Sequence, residues 1–276
     1  MLVVIAVLSF AGPPVGALLG ADPNAVDLLN RYAGSSWDHP LGTDELGRDM
    51  LLRLLAGGRV SLTIGVAAAL TAAAFGTLVG LVAGYVGGWT DRIAMRATDG
   101  VIALPLLPLL IVLAALDLAK LGVPAAIAQS DEISLMRIVA LAVLVGWTTA
   151  ARLVRGATLV TRQRDFVRAA RSLGASVPHI LWVHILPNVM APLVVATTLS
   201  VGEVILLESV LSFLGLGIQP PLASWGTMLS NAQQMITTAP LLAIYPGMMI
   251  FLTVIACNLL GDALQRRLDR GAVMHA

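Results

Sequence analysis

The chain has 276 residues, of which 58% are hydrophobic and only 12% are charged. Soluble domains carry charge on roughly 25% of their residues, so the composition excludes an ordinary soluble protein and places the chain in a membrane. The apolar runs along the chain predict an all-α, polytopic membrane protein with about six transmembrane helices. The formal net charge is only +1, and we expect no nucleic-acid partner.

Two absences in the sequence narrow the chemistry further. Cys257 is the only cysteine and lies in an apolar run, so no internal disulfide can form. The phosphate-binding pattern GxxxxGK(S/T) does not occur, and no nucleotide site is recognisable. We therefore expect neither a catalytic site nor a bound cofactor or metal in this chain.

The N-terminal region predicts a first transmembrane helix, residues 1–21, which the Pro13-Pro14 pair bends or shortens. It lacks the basic residues that open a signal peptide, and an apolar run that starts at the first residue indicates a longer natural N-terminus. Residues 22–59 are polar and predict an extracytoplasmic loop with a short helix, for which Thr43 can serve as N-cap. The carboxylates and His39 in this loop fit neither EF-hand nor zinc spacing.

The next predicted element is a long transmembrane helix. Residues 60–90 carry no charge over 31 positions, which is enough to cross a bilayer. Gly76, Gly80 and Gly84 recur at every fourth position of this run. Such spacing of small residues predicts close packing against another helix.

Two shorter spans are predicted after it. Residues 91–99 predict a charged connecting segment, and 101–116 predict a span bent by its prolines. Proline is tolerated in a membrane helix where neighbours or water satisfy the freed carbonyls, so Pro105 is a candidate for the translocation pathway. After a predicted loop at 117–137, the uncharged run 138–151 is shorter than the ~20 residues a span needs. We expect the arginines at its two ends, Arg137 and Arg152, to reach the membrane surface with their long side chains.

The fifth predicted span, 189–217, contains Glu203 and Glu208. A carboxylate within a membrane helix is costly and by default functional, so both are candidates for the translocation pathway. The alternative is that each is held by a donor on another helix, and for Glu208 we favour this structural role. Residues 209–261 contain no Asp, Glu, Lys or Arg. Their polar middle part predicts an outer loop, and 241–260 predict the last span.

The segment 164–188 lies between two apolar runs but is too charged to cross a bilayer. On a helix, Arg164, Arg168 and Arg171 share one face because they are four and three residues apart. The opposite face is predicted to consist of Phe166, Ala169, Ala170 and Leu173. A basic amphipathic helix of this kind is also typical of a loop held against anionic lipid.

Punctuating residues divide this segment, 164–188, into two helices. Gly174 can close the first one, because glycine adopts the left-handed conformation at little cost. Ser176 offers an N-cap for a second short helix, and Pro187 marks where the chain turns into the next span. We therefore predict a helix–turn–helix that lies on the membrane surface.

This segment resembles the EAA loop of ABC importer permeases. The resemblance rests on the sequence from Arg168 to Ala170, on Gly174, and on the pair Leu186-Pro187. Arg168 stands where the general motif has glutamate, and His184 stands where it has isoleucine. Both residues are familiar in the peptide-transporter branch of the family.

Three other stretches resemble the C-type permease subunits of dipeptide, oligopeptide and nickel ABC importers. They are HPLGTDELGRD (His39–Asp49), LSFLGLGIQPPLASWGTML (Leu211–Leu229) and NLLGDALQRRLD (Asn258–Asp269). With the EAA-like segment, they cover most of the chain in the expected order. The chain is thus identified as similar to this family over most of its length.

The resemblance implies the type I ABC importer permease fold, with a permease core of five transmembrane helices at 60–264. It implies a heterodimer with a second, B-type permease, two ATPase subunits that hold ATP and magnesium, and an extracytoplasmic solute-binding protein. In the family, the EAA loop is the coupling helix, which docks into a cleft of the ATPase. The residues to which this role carries over are Phe166, Arg168, Ala169, Ala170, Arg171, Gly174, Leu186 and Pro187.

The resemblance also implies a transport subunit of the bacterial plasma membrane rather than an enzyme, which imports peptides. Nickel or another small solute is the alternative cargo. A second hypothesis is a secondary transporter with Glu203 or Glu208 as proton carrier. It would need paired intramembrane charges and often inverted repeats, and neither is evident in the sequence. A third hypothesis is a non-transporting membrane scaffold.

The distribution of charge predicts the orientation. With six spans, eleven of the Lys and Arg residues fall on the side of 164–188 and six fall on the opposite side. The positive-inside rule places the first group in the cytoplasm. The tail, 265–276, is then also cytoplasmic.

Overall fold

The computed structural model describes residues 1–18, 21–116, 120, 122, 124, 130–230 and 236–274, with the side chains of 17, 18 and 269–274 excepted. Their longer helices, in chain order, are α1 (Leu2–Leu18), α2 (Met50–Val86), α3 (Gly88–Ala103), α4 (Leu106–Ala115), α5 (Asp131–Thr161), α6 (Asp165–Ser172), α7 (Leu186–Phe213) and α8 (Leu241–Met274). The β-type pairing in these residues is a single bridge between Thr43 and Asp49. The predicted loop at 117–137, the outer loop after 217 and the tail lie partly outside the described residues.

Four helical stretches in the described chain are long and apolar enough to cross a membrane: α2, α5, residues 177–213 and the part of α8 up to Leu268. Helices α3 and α4 meet this criterion only together, as a pair bent by 85°. Pro105 lies at the bend, as its ring and missing N–H predict. The all-α membrane fold is confirmed, with four or five such spans and the shorter apolar helix α1 where the sequence predicted about six.

The first long helix begins earlier than predicted. Asp49 caps α2, because its Oδ1 accepts a hydrogen bond from the backbone N–H of Leu52 at 2.8 Å, while His39 Nδ1 lies 2.9 Å from its Oδ2. The prediction of Thr43 as an N-cap is wrong. Its hydroxyl donates to the carbonyl of Asn30 at 2.5 Å and joins two parts of the loop instead.

The charged residues 91–99 belong to a helix, although the sequence predicted a connecting segment. They lie within α3, and Asp91, in the first turn of this helix, pairs with Arg155 of α5. Helix α5 has 31 residues and extends well beyond the predicted short span at 138–151. Arg152 lies within it and donates to Asp99 at 2.6 Å. The two ion pairs therefore neutralise Asp91 and Asp99 within α3 by arginines of α5.

Contacts between Cα atoms divide the chain into two compact units. The first comprises Met1–Val66, Ile111–Val139 and Gly202–Cys257, and the second comprises Ala67–Leu110, Ala140–Val201 and Asn258–Ala276. The core of the second unit is a cluster of buried residues from α2, α5, α6, the chain that enters α7 and the first turns of α7: Leu81, Ala150, Val154, Val167, Ile180, Ile185, Val189 and Leu193.

The glycine spacing in α2 has the predicted effect. A β-carbon at Gly80 would lie 2.6 Å from the carbonyl oxygen of Ala151 and 2.9 Å from Cβ of Val154, and one at Gly84 would lie 2.7 Å from Cβ of Thr158. Only hydrogen on these α-carbons allows α2 and α5 to approach so closely. The predicted packing seam is therefore confirmed, and its partner is α5.

Candidate functional site

The basic segment, residues 164–188, begins with α6, and glycine ends this helix as predicted. Gly174 has φ +83°, and its N–H donates to the carbonyl of Arg171 at 3.0 Å. The N–H of Ala175 donates to the carbonyl of Ala170 at 3.1 Å. These two bonds form a Schellman motif, which satisfies carbonyls that the helix end would otherwise leave unpaired.

The second half of the basic segment differs from the prediction. Ser176 occupies the N-cap position without a side-chain hydrogen bond. From Val177 the chain passes through a π-helical stretch, Ile180–Ile185, directly into α7. Pro187 therefore lies inside a continuous helical stretch instead of marking a turn. The wider π turn directly before it accommodates a residue that cannot donate a backbone hydrogen bond.

One side of α6 packs against the core of the second unit. Val167 is buried in the cluster of the second unit, and Ala170, three residues later, packs against it. Phe166 is 44% exposed and Leu173 is 88% exposed, so these two members of the predicted apolar side lie on the surface. The helix is anchored by its Val167 face, so these larger apolar side chains point outward.

The basic segment thus presents an exposed surface that is both apolar and basic. Its exposed residues include Phe166, Arg168, Ala169, Arg171, Leu173, Val177 and Trp182. Exposed apolar groups bordered by charge are typical of protein or membrane contacts. Leu186 is partly buried against the core cluster, so it supports this surface from within.

A second constellation, in the first unit, surrounds Glu208. The carboxylate is fully buried and accepts hydrogen bonds from three serine hydroxyls: Ser212 at 2.7 Å and Ser224 at 2.7 Å on Oε1, and Ser61 at 3.3 Å on Oε2. These serines come from α7, from the chain after it and from α2. The Glu208 cluster therefore joins three segments with a fully hydrogen-bonded carboxylate, as buried polar groups require.

Trp225 completes the Glu208 cluster, and sequence reasoning did not single it out. Its side chain is fully buried, its indole N–H donates to the carbonyl of Leu54 at 2.9 Å, and its backbone N–H donates to Ser61 Oγ at 3.1 Å. A β-carbon at Gly58 would lie 2.7 Å from the indole ring. A tryptophan in a polar, turn-rich stretch gave no periodic signal of burial.

The other pathway candidates have different surroundings. Glu203 and Pro105 are exposed on the surface of the chain. Exposure within an apolar helix leaves Glu203 available to a partner or to a water-filled space. Among the described residues, no group of three or more His, Cys, Asp or Glu side chains could hold a metal ion.

Comparison with solved structures supports the fold. The chain is similar to the crystal structure of an amino acid ABC transporter with histidines, with a TM-score of 0.55 at 15% identity, over 78% of this chain and 94% of that one. At this level of identity the likeness concerns the fold alone. The fold is that of a type I ABC importer permease, as the sequence predicted.

Comparison with known sequences identifies the family. The chain is 38% identical over 276 residues, or 99% of its length and 87% of the relative, to a protein of Brucella suis biovar 1 named as a peptide permease. It is 42% identical over 243 residues, or 88% of this chain and 75% of the relative, to the glutathione transport system permease protein of Pectobacterium atrosepticum. The family described as "Binding-protein-dependent transport system inner membrane component" matches residues 76–273. The chain belongs to this family, the multi-pass membrane permease subunits of ABC importers.

Proposed function

We propose that this permease subunit forms half of the translocation pathway of an ATP-driven importer for small peptides in the bacterial plasma membrane. The observation that carries the proposal is the likeness to permeases named for peptide and glutathione transport over most of both chains. Glutathione is itself a tripeptide, so both names point to one class of cargo. Nickel or another small solute remains the alternative cargo.

The proposed assembly has separate parts for membrane passage, energy and solute capture. A second, B-type permease supplies the other half of the pathway, two ATPase subunits bind ATP and magnesium, and an extracytoplasmic protein delivers the solute. This chain is then not an enzyme. The excess of Lys and Arg on the side of the basic segment supports a cytoplasmic position for that segment and for the C-terminus.

Uptake by the complete assembly tests the proposed cargo. In proteoliposomes with ATP inside, we expect accumulation of a labelled di- or tripeptide when its binding protein is supplied. Nickel in the same assay, with a nickel-binding protein, is the competing cargo. Accumulation of nickel without any peptide uptake would contradict the peptide assignment while leaving the ABC mechanism in place.

We further propose that the exposed surface of the basic segment docks on an ATPase subunit. Phe166 and the small Ala169 would enter a groove, while Arg168 and Arg171 would meet acidic residues at its edge. The support is physical: α6 is held to the core by Val167 and still leaves Phe166 and the arginines exposed. A rigid, anchored helix loses little conformational freedom on docking.

Gly174 offers a test of this docking. Valine at φ +83° is strained, whereas asparagine tolerates the left-handed conformation. We expect Gly174→Val to abolish solute-stimulated ATP hydrolysis and Gly174→Asn to retain most of it. An aspartate at this position, which adds charge to the surface, should also abolish stimulation with membrane insertion intact.

Steric clash does not complicate the Gly174 variants, because a β-carbon at this position meets no atom within 4 Å. A defect in the valine variant therefore reports backbone conformation and not a clash. Membrane levels and copurification of the second permease should stay unchanged. Normal stimulation in both the valine and the aspartate variants would argue against the docking role.

Glu208 separates the ABC mechanism from proton-driven transport. Glutamine keeps the shape and an accepting oxygen for the serine hydroxyls, but it cannot carry a proton. We expect Glu208→Gln to retain ATP-driven uptake, whereas Glu208→Ala should lower the melting temperature because buried hydroxyls left without a partner cost about 1–3 kcal/mol each. Uptake that persists without ATP at a constant proton gradient, and is lost in the glutamine variant, would support the proton-carrier hypothesis instead.

A further inference from the structure

An arginine that directly follows α5 holds the C-terminal end of α2. Helix α2 ends at Val86, so the carbonyls of Gly84 and Tyr85 lack partners within the helix. Arg162 Nη1 donates to the Gly84 oxygen at 2.8 Å and to the Tyr85 oxygen at 3.2 Å. A cation at a helix C-terminus also interacts favourably with the helix dipole. Arg162 thereby fixes the last turn of α2 in position.

A second arginine reaches the same turn from the basic segment. The guanidinium carbon of Arg171 lies 5.3 Å from the centre of the Tyr85 ring, within the range of a cation–π interaction. The Tyr85 ring also packs against the core cluster that contains Val167. Helix α6 thus approaches the end of α2 through a charged contact, beside the apolar anchor of Val167.

Two further arginines, Arg152 and Arg155, bind α5 to α3. Arg155 forms a paired contact with Asp91, in which its Nε and Nη2 each donate to one carboxylate oxygen. Arg152 donates to Asp99 at 2.6 Å. Paired guanidinium–carboxylate contacts are directional as well as strong. Helices α3 and α5 are therefore joined without any contribution from α6. The contact of Arg171 with Tyr85 is a separate connection, between α6 and the end of α2.

We propose that the contact of Arg171 with Tyr85 is the positioning contact through which a displacement of α6 reaches the end of α2. The proposal rests on the docking of the basic segment on an ATPase subunit. Phe166 and Leu173 point outward from α6, whereas Arg171 is placed over a ring of another helix. Because Arg162 holds the backbone beneath that ring, motion of the ring carries the helix end with it.

The test uses two Tyr85 variants in the complete importer. Tyr85→Leu removes the π system but keeps an apolar side chain for the core cluster, and Tyr85→Phe keeps the ring. We expect solute-stimulated ATP hydrolysis to be about two- to fivefold slower in the leucine variant. This is the factor that an exposed cation–π contact contributes to an equilibrium. Basal hydrolysis and copurification of the ATPase subunits should not change. The phenylalanine variant should behave as the unmodified protein does.

Each other outcome overturns the inference. Normal stimulation in Tyr85→Leu, or an equal defect in Tyr85→Phe, would exclude the ring as the contact that matters. Loss of ATPase subunits or a lowered melting temperature in the leucine variant, with the defect in proportion, would show a purely structural role. Failure of the proposed function is seen separately, as an unmodified complex whose ATP hydrolysis the loaded binding protein does not stimulate.

Discussion

Replacement of Gly80 with leucine is expected to prevent stable folding of the permease in the membrane. A β-carbon at this position would lie 2.6 Å from the Ala151 oxygen and 2.9 Å from Val154 Cβ, so α2 and α5 would have to separate. Overpacking a tight interface costs about 1–3 kcal/mol and occasionally more. Leucine adds three further carbons beyond the β-carbon. The protein level in the membrane and the melting temperature in detergent measure the effect.

The matched control is Gly156→Leu in α5. A β-carbon there meets no atom within 4 Å, and the change also removes a residue with low helix propensity. We expect this variant to accumulate at the normal level and to melt at or slightly above the normal temperature. Equal behaviour of the two leucine variants would contradict the role of the glycine seam.

Replacement of Trp225 with alanine is expected to have the second large effect. The indole ring is fully buried, and truncation of a buried tryptophan costs about 3–5 kcal/mol in the protein interior. The change also removes the donor to the Leu54 carbonyl. We expect a strongly lowered melting temperature. In limited proteolysis, the chain that follows α7 should be cleaved sooner than in the unmodified protein.

Trp37 provides the control for the loss of a tryptophan. Its side chain is fully exposed in the polar N-terminal loop, so Trp37→Ala should leave the melting temperature unchanged. Trp225→Phe should lie between the two alanine variants, because it keeps most of the apolar volume but loses the indole N–H and part of the ring system. Similar melting of both alanine variants would show that the Glu208 cluster does not hold this part of the protein together.

Much of the membrane architecture could be predicted from the sequence because it depends on local properties. The long apolar runs became α2, α7 and α8, and the four-residue spacing of Gly76, Gly80 and Gly84 indicated a helix contact. Gly174 ends α6 through its own backbone conformation. In each case, the residues concerned carry the physical cause themselves.

The errors arose where distant residues decide the outcome. Asp91 and Asp99 were assigned to a connecting segment because charge disfavours a membrane helix, but Arg155 and Arg152 of α5 pair with them. Val167 was not singled out in α6, but it is the residue of this helix that is buried in the core cluster. Hydrophobic periodicity over eight residues cannot determine which of two adjacent faces a core will cover.

By itself, the amino-acid sequence determined the class of protein, the approximate spans and the basic segment between them. These follow from hydropathy, charge and the conformational preferences of glycine and proline, which act within a few residues. Only the tertiary structure decided that Glu208 is held by three serines from separate segments and that Arg171 lies over Tyr85. Such contacts depend on packing between residues far apart in the chain, and a single sequence does not show which of these residues are close in space.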